Sequence, residues 1–402
     1  MGTATMPGRI KKVSATADEE SMAYLKPYDV FEYLPPETDR ISKSRTKNFD
    51  SYVIRIGDIL QTRSGRNLGP VTIADDYLAR FTVSDDMVRV RIPDEAERLY
   101  TFAFLRSATG QRSLRGERGG SVINHISPEH VADISVPFVD AIEGSVVDKV
   151  REAVDLRGNA RSILHQALEA TNKRFPAPRS GSAPRWTVSS QQLWNRLDAA
   201  FHSNRVTEAK AMISDGVELG DVADVIKPGG RHRMIYVDRG RGTPLLSGRQ
   251  ILQADVVAAK ELSKHSAQTA TDFGLTAGSV IFQADGRAGA GLGYPSVVTA
   301  ERNGWFASGH VGRLVPLDGC DVGWLWTAFA SDVVQTQVQA LCCGSVVDAL
   351  YPEDLERIVL PPQSAVDSMG VKQAWDDLAE ATVLLDQATR SIDDHLLGEA
   401  GD

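Results

Sequence analysis

Two segments of the sequence repeat one another more than 200 residues apart, and this repeat constrains the fold more than any other feature. The first, GGSVINHISPEHVADISVP, begins at Gly119, and the second, CGSVVDALYPEDLERIVLP, begins at Cys343. Sliding the chain against itself by about 221 to 224 residues aligns most of both halves in the same order. We therefore expect one domain to be present twice.

Each copy has the pattern of a small α+β domain. Short strands around a Gly-containing turn are predicted at VIRIGDILQT, from Val53, and at LTAGSVIFQA, from Leu275. DDMVRVRI, from Asp85, alternates apolar and polar residues as a half-buried strand does. Residues at helical spacing follow, then a turn, a short helix with Pro in its first turn (SPEHVADI and YPEDLERI) and a closing strand.

A 3-4 spacing of apolar residues follows each copy and predicts two long helices. Arg157, Arg161 and Thr171 fill missing steps of the first. We expect the two helices to pair, and the alternative is two unrelated surface helices. The residues predicted for the seam and for a partner interface are Val150, Val154, Leu164, Leu168, Trp375, Leu378, Leu385 and Ile392.

The expected fold class is α+β: two repeated β-rich domains, each followed by a long helix, with the helices pairing as an antiparallel coiled coil in a pseudo-twofold arrangement. The Pro, Gly and Ser content of PAPRSGSAPRW, from Pro176, indicates a flexible linker between the copies. The predicted boundaries are 1–140 and 219–363 for the domains, 141–175 and 364–398 for the helices, and 176–218 for the linker and a leading segment.

The composition is that of an ordinary globular protein, with 42% hydrophobic and 24% charged residues. No apolar stretch reaches the ~18 residues of a membrane helix, and no signal peptide is recognised. The three cysteines, Cys320, Cys342 and Cys343, have no partners at zinc-ligand spacing. These features lead us to expect a soluble, cytoplasmic protein.

No catalytic motif emerges from the sequence. A P-loop, a base-methylating Pro-Pro-aromatic motif, a zinc-deaminase signature and a Gly-x-Ser-x-Gly elbow are all missing. GRAGAGLG, from Gly286, lacks the helix that a dinucleotide site requires, because Tyr294-Pro295 follows it. An enzyme with an unrecognised nuclease site stays as an alternative.

Polar and basic side chains at matching places of the two copies indicate DNA contact. The net charge is −9, yet 40–66 carries seven basic residues against two acidic ones, and 227–249 carries six against one. In the major groove, an arginine side chain can form two hydrogen bonds with guanine, and a glutamine side chain can form two with adenine. Basic side chains also contact the phosphates. QTRSGR in the first copy is predicted to match QADGR in the second. The predicted DNA-binding residues are Lys43, Arg45, Lys47, Gln61, Thr62, Arg63, Ser64, Arg66, Arg231, Arg233, Arg249, Gln283 and Arg287.

In this arrangement the chain resembles the specificity (S) subunit of type I restriction-modification enzymes, most closely those of methylation-associated phage-defence systems. The resemblance covers nearly the whole chain, and its motifs are specific in their order. The matching residues are Gly57-Asp58-Ile59-Leu60, Arg63, Gly65, Gly110-Gln111, Gly120-Ser121, Ile126, Pro128, Ile134 and Val136-Pro137, with WNRLDAAFHS from Trp194 and LGDVADVIKPG from Leu219 before the second copy.

The resemblance implies a chain without enzymatic activity or a cofactor of its own. Each target-recognition domain would read one half of a split double-stranded DNA site. The paired helices would set the spacing and bind two methyltransferase subunits, which supply S-adenosylmethionine and modify an adenine, and a restriction or translocase subunit can join them. A coiled-coil scaffold that binds no DNA is the alternative from another class.

The first copy departs from the family pattern, because it begins almost at Met1 without a counterpart of residues 194–228. We therefore expect the first domain either to borrow a strand from elsewhere or to be trimmed.

Overall fold

The computed structural model describes residues 2–9, 13–64, 68–116, 125–178, 186–193, 196–229, 233–289, 291–342 and 347–398. The repeated Gly-Ser-Val motifs, at 119–122 and 343–346, lie outside the described residues, as do Arg66 and Arg231.

The chain divides into two compact units, and the division does not follow the order of the sequence. Unit 1 comprises Met1–Ser162, Gln253–Ala258 and Asp377–Asp402, and unit 2 comprises Ile163–Leu252 and Ala259–Asp376. A six-residue segment of the second copy, 253–258, thus belongs to the unit built from the first. Each long helix contributes residues to both units.

Elements are numbered in chain order. Unit 1 contains β1 (Thr3–Thr5), β2 (Ser21–Leu25), β3 (Arg40–Ser42), β4 (Ile59–Thr62), β5 (Val71–Ile73), β6 (Thr82–Val83), β7 (Met87–Arg91), α1 (Glu95–Arg106), α2 (Ala108–Gly116), α3 (Pro128–Ala132) and the first part of α4 (Asp140–Arg174).

Unit 2 contains α5 (Asn204–Met212), β8 (Val217–Glu218), β9 (Ala223–Ile226), β10 (Tyr236–Val237), β11 (Thr243–Leu246), β12 (Lys260–Leu262), α6 (Lys264–Thr269), β13 (Val280–Gln283), β14 (Asp285–Gly286), β15 (Pro295–Val297), β16 (Phe306–Ala307), β17 (Val311–Pro316), α7 (Val322–Ala330), α8 (Asp332–Leu341), β18 (Asp348–Ala349), α9 (Pro352–Leu355) and β19 (Val359–Leu360). The last helix is α10 (Val371–Gly398), which starts in unit 2 and ends in unit 1.

The two units contain the same pair of sheets. Unit 1 has an antiparallel sheet in the order β1-β7-β4-β5 and a second sheet β3-β2-β6, in which β2 and β6 are parallel. Unit 2 has β9-β17-β13-β15 and β12-β11-β16 with the same strand directions, and adds β10 beside β12. The predicted internal repeat and the α+β fold class are confirmed.

A buried arginine occupies the same strand position in each copy. Arg89 on β7 donates to the carbonyls of Ser51 and Val53, and Arg313 on β17 donates to those of Phe273 and Gly274. Burial lowers the pKa of each guanidinium group to about 10. Backbone carbonyls thus serve as hydrogen-bond partners of each buried guanidinium group.

The long helices α4 and α10 contact each other antiparallel. Arg157 lies 3.5 Å from the hydroxyl of Thr382 (Nη2 to Oγ1). Further along α4, a Cβ added at Gly370, just before α10, would lie 3.8 Å from Cγ2 of Ile163. The contacts run in opposite directions along the two helices, which is the predicted sense of pairing.

The seam residues lie inside the chain's own core, which corrects the predicted partner interface. Side chains of α4 and α10 join one hydrophobic cluster with α1, β4, β5 and β7 of unit 1. The fully buried members of the predicted set are Val150, Leu164, Trp375, Leu378, Leu385 and Ile392, each at most 2% exposed, and only Val154 and Leu168 are half-buried. Residues buried this deeply have no surface to offer a second subunit.

A buried charge cluster fills the gaps in the apolar spacing of α4. Arg157 donates to both carboxylate oxygens of Asp255, at 2.7 and 2.8 Å, and Arg106 donates to the same carboxylate at 2.6 Å. One turn further along α4, Arg161 pairs with Asp75 at 2.5 Å and donates to the carbonyl of Tyr33. The arginines that interrupt the apolar spacing of α4 therefore form contacts that hold the fold together.

Asp255 belongs to the segment of the second copy that lies in unit 1. The backbone N–H of Ala254 donates to the carbonyl of Phe31 at 2.7 Å, and Glu32 forms an antiparallel bridge with Gln253. With an offset of 221, Glu32 and Gln253 are equivalent positions of the repeat. The bridge therefore joins matching segments of the two copies.

Candidate nucleic-acid interface

A hairpin loop leaves the same end of the larger sheet in each unit. It joins β4 to β5 in unit 1 and runs from β14 to β15 in unit 2. In each unit, one glutamine side chain forms hydrogen bonds that hold this loop. In unit 1, Gln111 donates to the carbonyls of Gly69 and Leu105, at 2.7 and 2.8 Å. These loops are the parts of the two units that the sequence marked for DNA contact.

Gln335 repeats this arrangement in unit 2. It donates to the carbonyls of Gly293 and Phe329 at 3.1 and 2.9 Å. Both loop glycines have positive φ, +106° at Gly69 and +79° at Gly293, which other residues adopt only with strain. The repeated glutamine and glycine therefore hold the end of each hairpin loop, just before β5 and β15.

Loss of this glutamine is expected to loosen one hairpin loop and leave the other unchanged. Gln111→Ala removes two hydrogen bonds to backbone carbonyls, which costs about 1–3 kcal/mol. Amide hydrogen exchange should show faster exchange in residues 68–71, while 291–297 keeps its rate. Gln335→Ala is the matched variant and should reverse the pattern; equal changes in both loops would contradict it.

The strand register corrects the predicted equivalence of two glutamines. Ile59 pairs with Val90 as Val280 pairs with Leu314, so β4 and β13 are offset by 221 residues. Gln61 therefore matches Phe282, and Thr62 matches Gln283. Because side chains alternate across a strand, a slip of one residue places the two glutamines on opposite faces of their sheets.

The two predicted DNA-binding residues at the end of β4 are buried. Gln61 is 0% exposed and donates to the carbonyl of Thr62, which is itself 1% exposed. Neither side chain can reach a base without unfolding the strand, so the predicted role of both is corrected to support of the loop. Gln283, on β13, is half-buried and donates to the carbonyl of Asp285 at 2.9 Å.

The base of the unit 1 loop is held by a small polar cluster. Ser64 Oγ lies 3.1 Å from Asp86 Oδ1 and 3.0 Å from His125 Nδ1. Arg63 is half-buried, its carbonyl accepts from the N–H of Ile126, and its Nε lies 3.4 Å from the Ile126 carbonyl.

The same positions in unit 2 carry different chemistry. Asp285, the equivalent of Ser64, lies 2.7 Å from Lys227 Nζ and 2.9 Å from His310 Nδ1. His310 stands at the position of Asp86, and the Lys227 ammonium also lies 5.1 Å from the ring centre of Tyr351. The sequence reasoning missed this cluster, because its members come from four separate segments.

Three predicted residues of unit 2 belong to neighbouring segments. A Cβ added at Gly248 would lie 2.9 Å from Cγ of Gln283, and one added at Gly286 would lie 2.3 Å from its Nε2. Arg249 and Arg287 follow these glycines directly, and both are exposed. Arg233 is exposed as well.

The basic residues after β3 are exposed, but two of them are paired within the chain. Lys43 Nζ lies 2.7 Å from Glu20, and Arg45 lies 2.5 Å from Glu19. The hydrogen bond to Glu20 raises the pKa of Lys43, and that to Glu19 raises the pKa of Arg45. Lys47 is exposed. These ion pairs reduce the positive charge available to phosphates.

Helix α2 carries basic residues that the sequence reasoning did not single out. Arg112 and Arg115 are exposed on the helix whose Gln111 holds Gly69. Their equivalents in unit 2 are Thr336 and Gln339, which are neutral. The helical spacing of charged residues in ATGQRSLRG was the available signal.

Other classes of site find little support in the described residues. Within those ranges, no group of three or more His, Cys, Asp or Glu side chains could hold a metal ion. None of the helices in the described part of the chain has the length and hydropathy of a membrane span.

Comparison with known proteins gives structural matches only. No protein-family model and no curated protein matches the sequence. A type I restriction-modification system S subunit from M. genitalium matches 99% of this chain and 92% of its own, with 14% identity and a TM-score of 0.31. The chain is similar to type I S subunits.

Two further solved structures match with similar coverage, identity and TM-score. The HsdS subunit from Thermoanaerobacter tengcongensis matches 99% of this chain and 96% of its own, at 16% identity and a TM-score of 0.30. A structure concerning "complex assembly" of "the type I R-M system" matches 96% of this chain and 97% of its own, at 15% identity and a TM-score of 0.28.

Proposed function

We propose that this chain is a non-catalytic specificity subunit that recognises a bipartite DNA target and directs methyltransferase subunits to it. One observation supports this most: the same hairpin loop, held by the same glutamine, is present in both units, with different residues at its base. A protein that reads two different half-sites needs a constant scaffold and a variable loop.

The chemistry of the loops suits base recognition. An arginine beside a hairpin can fork onto guanine O6 and N7 in the major groove, which admits a protein element of this size. Arg63 and Arg66 would serve unit 1, and Gln283 and Arg287 would serve unit 2. Arg112 and Arg115 on α2, with Lys47, Arg231, Arg233 and Arg249, would contact phosphates and fix the register on the duplex.

The long helices supply the spacing between half-sites in this proposal. At a rise of 1.5 Å per residue, the 35 residues of α4 extend about 52 Å. With a net charge of −9, the chain would draw much of its DNA affinity from partners. These would be two methyltransferase subunits, which bring S-adenosylmethionine, and a restriction or translocase subunit as a further member.

Replacement of loop arginines is expected to change one half-site at a time. Arg63→Ala with Arg66→Ala should relax discrimination at one half-site by about 1–3 kcal/mol for each lost bidentate contact. Arg287→Ala should affect the other half-site only. The measurement is selection of bound DNA from libraries randomised in each half, using the assembled complex; equal loss at both half-sites from either variant would refute the assignment.

A scaffold that binds no DNA is the second candidate. The pairing of Lys43 with Glu20 and of Arg45 with Glu19 favours it, because these basic residues are already neutralised within the chain. In that case the loop variants would leave the selected DNA sequence unchanged while the complex still assembles.

A further inference from the structure

In unit 2, the turn between β10 and β11 is held in place by a buried carboxylate. Both strands pair with β12, which lies between them in the sheet. The two oxygens of Glu261 on β12 accept from the N–H groups of Gly240 and Gly242, each at 2.8 Å, and the residue is 8% exposed. Gly240 has a φ of +82°, which glycine adopts without strain. The backbone of this turn is therefore fixed by a side chain of its own sheet.

The fixed turn carries exposed positive charge, and we call residues 238–242 the basic turn. Arg239 and Arg241 are both exposed, and neither forms an ion pair with any residue that the structure describes. Lys260, at the start of β12, is exposed as well. Asp238 is the acidic residue of the turn, so three exposed positive side chains stand against one exposed negative one. The surface at this turn therefore has a surplus of positive charge.

Further basic residues lie next to the basic turn along β10. Lys260 Nζ lies 4.5 Å from the ring centre of Tyr236 on that strand. The carbonyl of Arg233 accepts from Ser266 Oγ at 3.2 Å, so the segment before β10 lies against the start of α6. Arg233 is exposed, and so is Lys264 in the first turn of α6. The positive surface therefore extends along β10 from the basic turn to α6.

The corresponding turn of unit 1 has the opposite charge. β2 and β3 correspond to β11 and β12 at a constant offset of 221 residues, which follows from their pairing registers. Arg40 therefore stands at the position of Glu261, and Asp39 stands at that of Lys260. The turn before β2 carries the acidic residues Asp18, Glu19 and Glu20. The same place in the fold is thus basic in unit 2 and acidic in unit 1.

The acidic residues at the unit 1 turn are largely compensated within that unit. Three ion pairs form there: Asp39 with Lys26 at 2.7 Å, Glu20 with Lys43 at 2.7 Å and Glu19 with Arg45 at 2.5 Å. The two arginines of the basic turn have no such partners among the described residues. Because neighbouring like charges repel one another, the basic turn favours a negatively charged ligand.

We propose that the basic turn binds phosphates of the DNA beside the half-site that unit 2 reads, and that the corresponding turn of unit 1 makes no such contact. This inference rests on the proposed function and adds an asymmetry to it. β11 starts after the basic turn and ends near the loop, where a Cβ at Gly248 would lie 2.9 Å from Cγ of Gln283. The seven residues from Arg241 to Gly248 span at most about 23 Å, which is the length of about seven base pairs. One duplex can therefore contact both the loop and the basic turn.

The phosphates of DNA fit this surface better than a second copy of the chain does. A guanidinium group binds phosphate oxygens through two parallel hydrogen bonds, and each strand of a duplex repeats a phosphate about every 3.4 Å along its axis. A second copy would offer the acidic turn of unit 1, but three of the carboxylates there are already paired with Lys26, Lys43 and Arg45. An acidic segment of a partner protein would be bound by the same charges, and its loss is a separate outcome of the experiment.

The salt dependence of DNA binding tests the contact in the assembled complex. Arg239→Gln with Arg241→Gln should lower the affinity for DNA and reduce the slope of log K against log salt concentration by about 2, because each lost phosphate contact lowers the slope by about one. The DNA sequence selected at both half-sites should stay unchanged, since phosphates carry no direct sequence information. Arg239→Lys with Arg241→Lys keeps the positive charge and should keep the slope.

Lys43→Gln with Arg45→Gln is the matched control in unit 1. It removes the same number of positive charges from the chain, but these residues are already paired with Glu20 and Glu19. The slope should therefore stay at the wild-type value. Fluorescence anisotropy with a labelled duplex gives the slopes, and gel filtration shows whether each complex is intact.

Each contrary result overturns a different part of the proposal. An unchanged slope in the Arg239→Gln, Arg241→Gln variant, with the target still selected, removes the phosphate contact and leaves the proposed function intact. An equal loss of slope in the unit 1 control assigns the effect to net charge and contradicts a contact at the basic turn. Release of the methyltransferase in gel filtration assigns the turn to a partner protein. A wild-type complex that selects no DNA sequence contradicts the proposed function itself.

Discussion

Asp255→Ala is expected to lower the free energy of unfolding of unit 1 by about 3–5 kcal/mol, because it leaves the buried guanidinium of Arg157 without its counter-ion and removes one of the two carboxylates paired with the half-buried Arg106. Arg157 and Arg106 both donate to this carboxylate, which is 7% exposed. Asp386→Ala is the matched control. Its side chain also pairs with Arg106 but is 51% exposed, so it should cost no more than about 1 kcal/mol.

The pH dependence of stability is an independent test of the contact between Asp255 and the two arginines. Burial opposes ionisation of Asp255, but the charges of Arg106 and Arg157 outweigh it and hold the pKa of Asp255 well below its usual range. A depressed pKa stabilises the fold above the unfolded-state value of about 3.9, and the contribution is lost as the pH falls below it. Urea unfolding at pH 7 and pH 3 should therefore show a smaller difference between wild type and Asp255→Ala at pH 3. A constant difference would contradict the contact.

Leu385→Ala is expected to destabilise unit 1 by about 2–5 kcal/mol, as large-to-small substitutions in a packed core do. Leu385 is 1% exposed and packs in the cluster that contains Phe102 and Val150. From the sequence, Leu385 and Ile392 were predicted to lie in the helix seam and at a partner interface. The burial of both residues reverses that expectation.

Val383→Ala on the same helix separates the two interpretations. Val383 is 38% exposed, so its truncation should change stability by no more than about 0.5 kcal/mol. Urea unfolding and gel filtration with the methyltransferase provide the comparison. If Leu385→Ala keeps normal stability but no longer binds the methyltransferase, the result would contradict a core role and support the predicted partner interface at the seam.

The repeat and the long helices were predictable, because the signals that carry them are local or periodic. Apolar spacing indicated the second long helix, which forms α10, and the Pro that starts α3 lies where the sequence placed it. Comparison of the two halves predicted that the same elements occur twice in the same order. These features depend on residues a few positions apart or on one constant offset.

The register and the charge cluster were not predictable from one sequence. Gln61 and Gln283 match in the aligned sequences, but the strand pairing places their side chains on opposite faces of their sheets. Only the residues paired across the sheet show this difference. Arg157 reads as a polar interruption of a helix until Asp255, 98 residues away, is brought against it. Such contacts between distant segments leave no local pattern to read.

The most direct measurement is methylation-sensitive long-read sequencing of host DNA with and without this gene, with the neighbouring methyltransferase left intact. The proposed function predicts that one split, asymmetric methylated motif disappears and that both half-sites change together. An unchanged set of methylated motifs would contradict a specificity subunit and would favour the scaffold.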